Sequence, residues 1–366
     1  MTTPLELAVA ARGKRWLEAE DEPVGTLDLA GDGLAEATSA AVREATVAAL
    51  ERHLGDHYTR RPGIAPLCKA VARHLATFGL TVNPDNEVVI TGGPQESRFV
   101  ALRVLAVGRT VYVPTVAPWP AYAAALSFAG AAAARFDPEG ELPEAQRAVL
   151  LLPTPNPATG QAYAAETLAR LAAWAAAADL AVIADEAAAP LLRPDRAHVP
   201  FASLPAMAER TLTLGSFASV PGLDAWNVAW FAGPKSCSVP VRDLKQAMTI
   251  CSSAASQYAA LGGWEAPDAS TRAGAEGRIA ALAALLARLG LPYAEPHTIA
   301  YLVADVSALG GGAAVAAACL RRGVRVADGA GFGSPGTIRI TVIERGFDDA
   351  LVRLEGALAE LAGARA

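Results

Sequence analysis

The side chains of this sequence that could do chemistry stand where short apolar runs end. Asp185 closes "LAVIAD" (180–185), where a carboxylate can serve as an acid or base, or simply cap the turn that follows. Ser216 and Ser219 follow "RTLTLG" (210–215), in the stretch "TLGSFASVPGLDAWNVAWFAGP" (213–234) that also carries Asn227. Taken alone, Ser219 reads as an ordinary turn residue. Gly93 follows "EVVITG" (87–92), and Thr154–Asn156 follow "AVLLLP" (148–153). Arg339 sits in "TIRITV", where alternation puts it on the face opposite Ile338 and Ile340. Facing a pocket, its planar fork of donors would grip a carboxylate; facing solvent, it is a surface residue. Trp119, between two prolines, reads as an aromatic wall or as core packing. Tyr58, with Arg60 and Arg61 beside it, reads as a solvated loop or as a basic wall for an anion.

Metal chemistry has no footing. His53 and His57 lie one helical turn apart without a carboxylate pair, and the other histidines (His74, His198, His297) lack ligand spacing. Cys68, Cys237, Cys251 and Cys319 are too widely spaced for a metal or redox motif and read as reduced thiols of a cytoplasmic protein. Lysine is scarce: Lys14, Lys69, Lys235 and Lys245 are all there are.

These residues need a scaffold, and the chain is long enough to build one. Its 366 residues exceed one ordinary core, and 52% hydrophobic content is ample for burial. A net charge of -6 argues against nucleic acid as a partner. No apolar run is long enough to span a bilayer, and "MTTPLELAVAARGKRW" puts its basic residues after the apolar stretch, which is not the layout of a signal peptide. Six β-branched runs (87–92, 110–114, 148–153, 180–185, 210–215 and 228–233) alternate with stretches of helical spacing such as 95–106, 164–178 and 241–261. This alternation predicts an α/β fold with a mainly parallel sheet between helices, and in such sheets ligands lie beyond the carboxyl ends of the strands. From about residue 273 the pattern changes to a small α+β unit: a helix over 277–289, "TIAYLVADVS", a helix near 313–322, "GVRVAD", "GTIRITV" and a last helix over 347–362. Three parts are expected: an N-terminal segment (1–50) packing on the small domain, a large domain (51–272) and the small domain (273–366). A helix around 40–54 docks on the small domain or bridges to the sheet.

Six motifs in order resemble the class I/II aminotransferases, pyridoxal-phosphate (PLP) enzymes of fold type I: "HYTRRPGIAPLCKAVARHL", "VVITGGPQES", "PTVAPWPAY", "TPNPATG", "VIADEAAA" and "GVRVADGAGFGSPGTIRITV". The resemblance covers nearly the whole chain and implies a seven-stranded, mainly parallel sheet in the large domain. It also implies what each site residue should be. Ser219 stands where the family has the lysine that forms the Schiff base, and Ala188 stands where it has a tyrosine near the ring oxygen. Ungapped, Pro157 takes the place of the asparagine that bonds that oxygen; sliding the turn by one puts Asn156 there. Asn227 replaces the arginine that clamps the phosphate, and Pro94 removes a backbone donor from the phosphate loop. Retained, by the same resemblance, are Asp185 for the pyridine nitrogen, Trp119 for stacking and Ser216 and Gly93 in the phosphate loop. Tyr58 is implied to reach across a homodimer, and Arg339 to hold a substrate carboxylate.

These losses suggest an enzyme that has given up PLP. The expectation is no cofactor, a small amino-acid or keto-acid carboxylate as ligand in specialised metabolism, and Asp185 or Ser219 as acid or base. Two alternatives stay open: a non-catalytic binding or partner subunit, and a PLP or PMP (pyridoxamine phosphate) enzyme that holds its cofactor non-covalently. No lysine is expected to bond PLP, and substitutions of Arg339 are expected to spare the fold if it faces the cavity.

Overall fold

The computed structural model describes residues 23–31, 33–34 and 36–363. The stretch 1–22, with Lys14 and most of the expected N-terminal segment's first half, lies outside the described residues.

Seven strands form the large sheet: β2 (Val88–Thr91), β8 (Ala229–Ala232), β7 (Thr211–Ser216), β6 (Ala181–Asp185), β5 (Val149–Pro153), β3 (Thr110–Pro114) and β4 (Ala132–Phe136), in that spatial order. Neighbours from β7 to β4 are parallel, and β8 runs antiparallel to both β7 and β2. Strands β2, β5 and β8 are buried at every position, as strands covered on both faces must be. Within β5 the pleat sorts the side chains: Val149 and Leu151 face one helical layer, Leu150 and Leu152 the other. The first layer holds helices α3 (Pro94–Leu105), α4 (Trp119–Phe128) and α6 (Lys235–Thr249). The second holds α2 (Ala65–Ala76), α5 (Ala165–Ala177) and α7 (Ala254–Glu265).

The second sheet has four strands in the order β1 (Leu27–Leu29), β10 (Val324–Asp328), β11 (Thr337–Thr341) and β9 (Tyr301–Asp305). Its core includes Leu282, Leu286, Val315 and Leu354, from helices α8 (Ala269–Arg288), α9 (Gly312–Arg321) and α10 (Phe347–Gly363). The N-terminal strand β1 pairs parallel with β10, so the chain's beginning completes a sheet built from its end.

Three local differences from the sequence reading have physical causes. The strand "AAARF" (132–136) has no β-branched residue to announce it and lies at the sheet edge. The single helix expected over 241–261 is two helices, because Ile250 turns to φ 59° and Ser253 caps the next helix by accepting from Ser256 N–H. The helix expected from 277 starts at Ala269, where the Asp268 carboxylate accepts from the Ser270 and Thr271 amides. Helix α1 (Ala40–Glu51) packs on α7. A Cβ at Gly262 would lie 2.3 Å from the Ala45 Cβ, so the two helices meet this closely only because residue 262 is glycine.

Candidate functional site

The site residues gather where the carboxyl ends of β5, β6 and β7 meet the second sheet. At the end of β6, Asp185 is 3% exposed and fully engaged on one oxygen. Its Oδ2 accepts from Arg98 Nε at 2.8 Å and from the Tyr122 hydroxyl at 2.7 Å. Among the described residues its Oδ1 has only long contacts, from Arg98 Nη2 and the Ala187 amide, both at 3.4 Å. Burial, and then the Asp185 charge, push the Tyr122 phenol well above its ordinary pKa, so it is a donor here. A carboxylate removed from water needs such partners. The next residue, Glu186, is buried against His198 Nε2 at 2.9 Å and the Phe201 amide at 2.8 Å.

Beside it lies the loop before α3. Gly93 is the helix N-cap with φ 92°, a left-handed conformation that favours glycine. A Cβ there would lie 3.2 Å from the Asn227 Oδ1, so Gly93 and Asn227 converge. Pro94 occupies the first helical position, where its missing N–H is one of the groups a helix leaves unpaired anyway. One loop donor is already used: the Glu96 carboxylate accepts from the Gly92 amide at 2.5 Å and from the Thr249 hydroxyl at 3.1 Å. Ser216 is buried, donating to the Ala187 carbonyl at 2.6 Å and accepting from the Ala218 amide at 3.1 Å. Ser219 is exposed in the turn after β7, and Asn227 is exposed in a left-handed conformation at φ 48°.

On the second sheet, Arg339 is 1% exposed, so the surface alternative does not describe it. Its guanidinium donates to the carbonyls of Gly31 at 3.0 Å and of Ala30 and Pro157 at 3.3 Å each. It also stacks on Tyr301 and Phe332. Arg339 therefore ties β11 to the N-terminal segment and to the turn after β5. In that turn the Asn156 amide donates to the Val116 carbonyl at 2.7 Å, and its oxygen accepts from the Ala158 amide at 3.0 Å. A cavity of about 430 Å³ borders it, lined in part by Val116, Glu139, Gln161 and Tyr163. Trp119 is buried, with its indole N–H donating to the Thr115 carbonyl at 3.2 Å and Arg135 over its ring. The aromatic that touches Asp185 is Tyr122, one turn further along the same helix. Tyr58 is exposed on the surface of this chain.

Arg98 and Tyr122 are the site residues that sequence reading missed. Arg98 shares its helix face with Ala101, Leu102 and Leu105, and a charged residue in that apolar stripe was the available signal. Of the described lysines, Lys69 and Lys235 are exposed. Lys245 is fully buried on α6, its Nζ has no hydrogen-bond partner among the described residues, and burial lowers its proton affinity. Among the described residues no three His, Cys, Asp or Glu side chains come together to hold a metal, and no helix is long and apolar enough to cross a membrane.

Comparison with known proteins gives the arrangement a context. The family described as "Aminotransferase class I and II" matches residues 26–353. A Mycobacterium tuberculosis (strain ATCC 25618 / H37Rv) protein named "Probable N-succinyldiaminopimelate aminotransferase DapC" is 30% identical over 272 residues, 70% of this chain and 68% of that one. YugH of Bacillus subtilis (strain 168), whose name assigns it to the aminotransferases without a substrate, is 31% identical over 239 residues; the match spans 61% of this chain and 60% of YugH. Among solved structures, N-succinyldiaminopimelate aminotransferase from M. tuberculosis superposes with a TM-score of 0.86 at 25% identity, covering 98% of this chain and 100% of that one.

Two sequence expectations are corrected by these findings. Relatives on every side are aminotransferases, a family that works with PLP, so neither a PLP-independent enzyme nor the absence of a cofactor stands. Both rest on what the resemblance implies for Ser219, Ala188 and Asn227 alone, whereas the family match runs over residues 26–353. The residues present fit this cofactor. Asp185 Oδ1 has room for a donor, and the α3 N-terminus behind Gly93 suits an anion.

Proposed function

Because the chain belongs to the class I and II aminotransferase family, we propose that it is an enzyme of amino- or keto-acid chemistry that holds PLP or PMP non-covalently. The observation that carries this reading is Asp185: buried at the end of a central strand, with one oxygen saturated and the other underused. When bound, the cofactor supplies an electron-withdrawing ring that stabilises negative charge at the substrate carbon. In this reading Asp185 Oδ1 receives the ring nitrogen, and the Gly93 turn, the α3 N-terminus and Ser216 face the phosphate. Arg339 receives the substrate carboxylate by exchanging carbonyl acceptors for it. Ser219, an exposed hydroxyl where the resemblance implies an amine, carries the proton in its place. Trp119 and Asn156 hold the turns that wall the site, through the Thr115 and Val116 carbonyls. The reading includes a cytoplasmic homodimer, with the exposed Tyr58 covered by the second subunit, and no nucleic-acid or membrane partner.

The experiment is calorimetric titration of the full chain with PMP and PLP, followed by borohydride treatment and peptide mapping. The reading expects saturable binding, a raised melting temperature and no reduced adduct on any lysine. An Asp185→Ala variant that folds should lose the binding. No thermal shift with either compound at millimolar concentration would overturn it.

A further inference from the structure

The other end of the large sheet carries a concave site that the cofactor reading leaves unused. Strands β3, β5 and β6 are parallel neighbours, so the turns before them stand side by side. Those turns place Arg109, Arg147 and Asp179 around a cleft of about 410 Å³. Small-molecule sites take up roughly 300–1,000 Å³, so the cleft is of a fitting size. Its carboxylate is already matched: Asp179 accepts from Arg210 Nη1 at 3.2 Å. Arg109 and Arg147 are exposed, and neither guanidinium has a hydrogen-bond or ion-pair partner among the described residues. The cleft thus holds two uncompensated positive charges on a chain whose net charge is -6. Backbone geometry singles out Arg147, which sits in the left-handed region at φ 49°, as does Asp179. Asp179 follows helix α5, where helices commonly end on such a residue, and its short polar side chain tolerates the conformation. For an arginine there is no such local reason, since glycine or asparagine fits a left-handed turn with less strain. A strained position that keeps a long cationic side chain beside a cleft points to use of that side chain. From Arg109 and Arg147 we propose that the cleft binds a small molecule with two or more anionic groups, phosphoryl or carboxylate, one held by each arginine. A guanidinium presents a planar fork that matches either oxyanion in a two-pronged contact. Strands β5 and β6 are five residues long, which is roughly 15 Å, so a ligand held here does not touch the Asp185 end.

The probes are pyrophosphate and citrate, each titrated calorimetrically into the full chain. Pyrophosphate stands for the phosphoryl source and citrate for the carboxylate source, and the tighter of the two tells which the cleft prefers. Wild type should bind at least one of them saturably, and more weakly as salt is raised. Arg109→Gln and Arg147→Gln should each weaken that binding about tenfold or more, and the double variant should lose it. Thermal melts identify any variant that fails to fold. Arg147→Gly relieves the left-handed strain, so it should melt no lower than wild type and still bind as weakly as Arg147→Gln. Binding that follows Arg109 and Arg147 supports the cleft whether or not PMP binds elsewhere, so this site and the cofactor reading stand or fall separately. No saturable binding of either probe by wild type, or equal affinities in wild type and the folded double variant, would overturn the proposal.

Discussion

Arg339→Ala tests whether the buried guanidinium is a structural tie as well as a carboxylate receptor. Hydrogen bonds from a charged donor contribute about 1.5–3 kcal/mol each at good geometry. The contact to Gly31 at 3.0 Å is of that kind. The contacts to Ala30 and Pro157 at 3.3 Å are long, and ~1 kcal/mol each is a fair allowance. The Tyr301 and Phe332 rings, 5.2 and 4.8 Å from the guanidinium carbon, add about 1 kcal/mol each when solvent is excluded. Against this, truncation relieves the cost of keeping a charge out of water, several kcal/mol for a group 1% exposed. The net loss expected is about 2–4 kcal/mol, read as a lower urea midpoint at an unchanged slope. Arg339→Lys should recover less than half of it, since an ammonium cannot span three carbonyls in one plane. A loss of this size is compatible with a fold that survives both changes, as the sequence leads one to expect if Arg339 faces the cavity. Titration of the same proteins with amino and keto acids reads the second role, where about ten- to a hundredfold weaker binding is expected for Arg339→Ala. A variant within about 0.5 kcal/mol of wild type would refute the tie.

Two further outcomes follow from the same structure. Ser219→Lys should yield a borohydride-reducible PLP adduct at residue 219 yet turn over amino acids slowly, because Asn227 still leaves the phosphate without a cation; robust turnover by this single variant would show the phosphate contacts to be sufficient. Burial pushes the Cys68 and Cys319 thiols up to about 12, so in native protein at pH 8 the half-buried Cys251 should react first with a thiol reagent, and those two only after unfolding. Because both are raised in the folded state, their stability contribution is complete below the ordinary thiol pKa and is lost as pH climbs towards 12; Cys68→Ala should flatten that alkaline decline in urea midpoints.

What the sequence revealed and what it hid divide along physical lines. The large sheet was legible because its central strands are buried on both faces and read as unbroken apolar runs, as in "VLLLP" of β5. The strand "AAARF" carries no such mark, since alanine fits a helix as well as a strand. Two of the positions singled out in the sequence have a definite local place: Gly93 caps α3 with a φ of 92°, and Asp185 ends β6. What they bond to was not legible. Arg98 reaches Asp185 across 87 positions of chain, and nothing local in either segment names the other. The sequence offers Asp185 as an acid, a base or a turn cap; in the folded chain one of its oxygens is held by Arg98 and Tyr122.

At Asn227 a candidate contact and a backbone constraint are coupled. Its left-handed φ of 48° is a conformation in which asparagine is favoured and most other side chains are strained. An arginine placed there costs about 1–2 kcal/mol of stability for that conformation. It would stand beside Gly93, whose notional Cβ lies 3.2 Å from the present Oδ1, and so within reach of an anion at the α3 N-terminus. A charge-assisted, two-pronged contact to phosphate returns about 1.5–3 kcal/mol or somewhat more. The strain is the same with and without ligand, so it lowers stability and leaves the binding gain intact, and Asn227→Arg should bind PMP about ten- to a hundredfold more tightly than wild type. The gain should shrink as salt is raised, because the added attraction is between charges at an exposed position. Asn227→Lys, a point charge without the fork, should gain less. The assay is calorimetric titration at two ionic strengths, with the thermal melt of each variant as the control for folding. A folded Asn227→Arg protein with unchanged or weaker affinity would mean that the phosphate does not lie against Gly93, and the placement of the cofactor in this site would have to be abandoned.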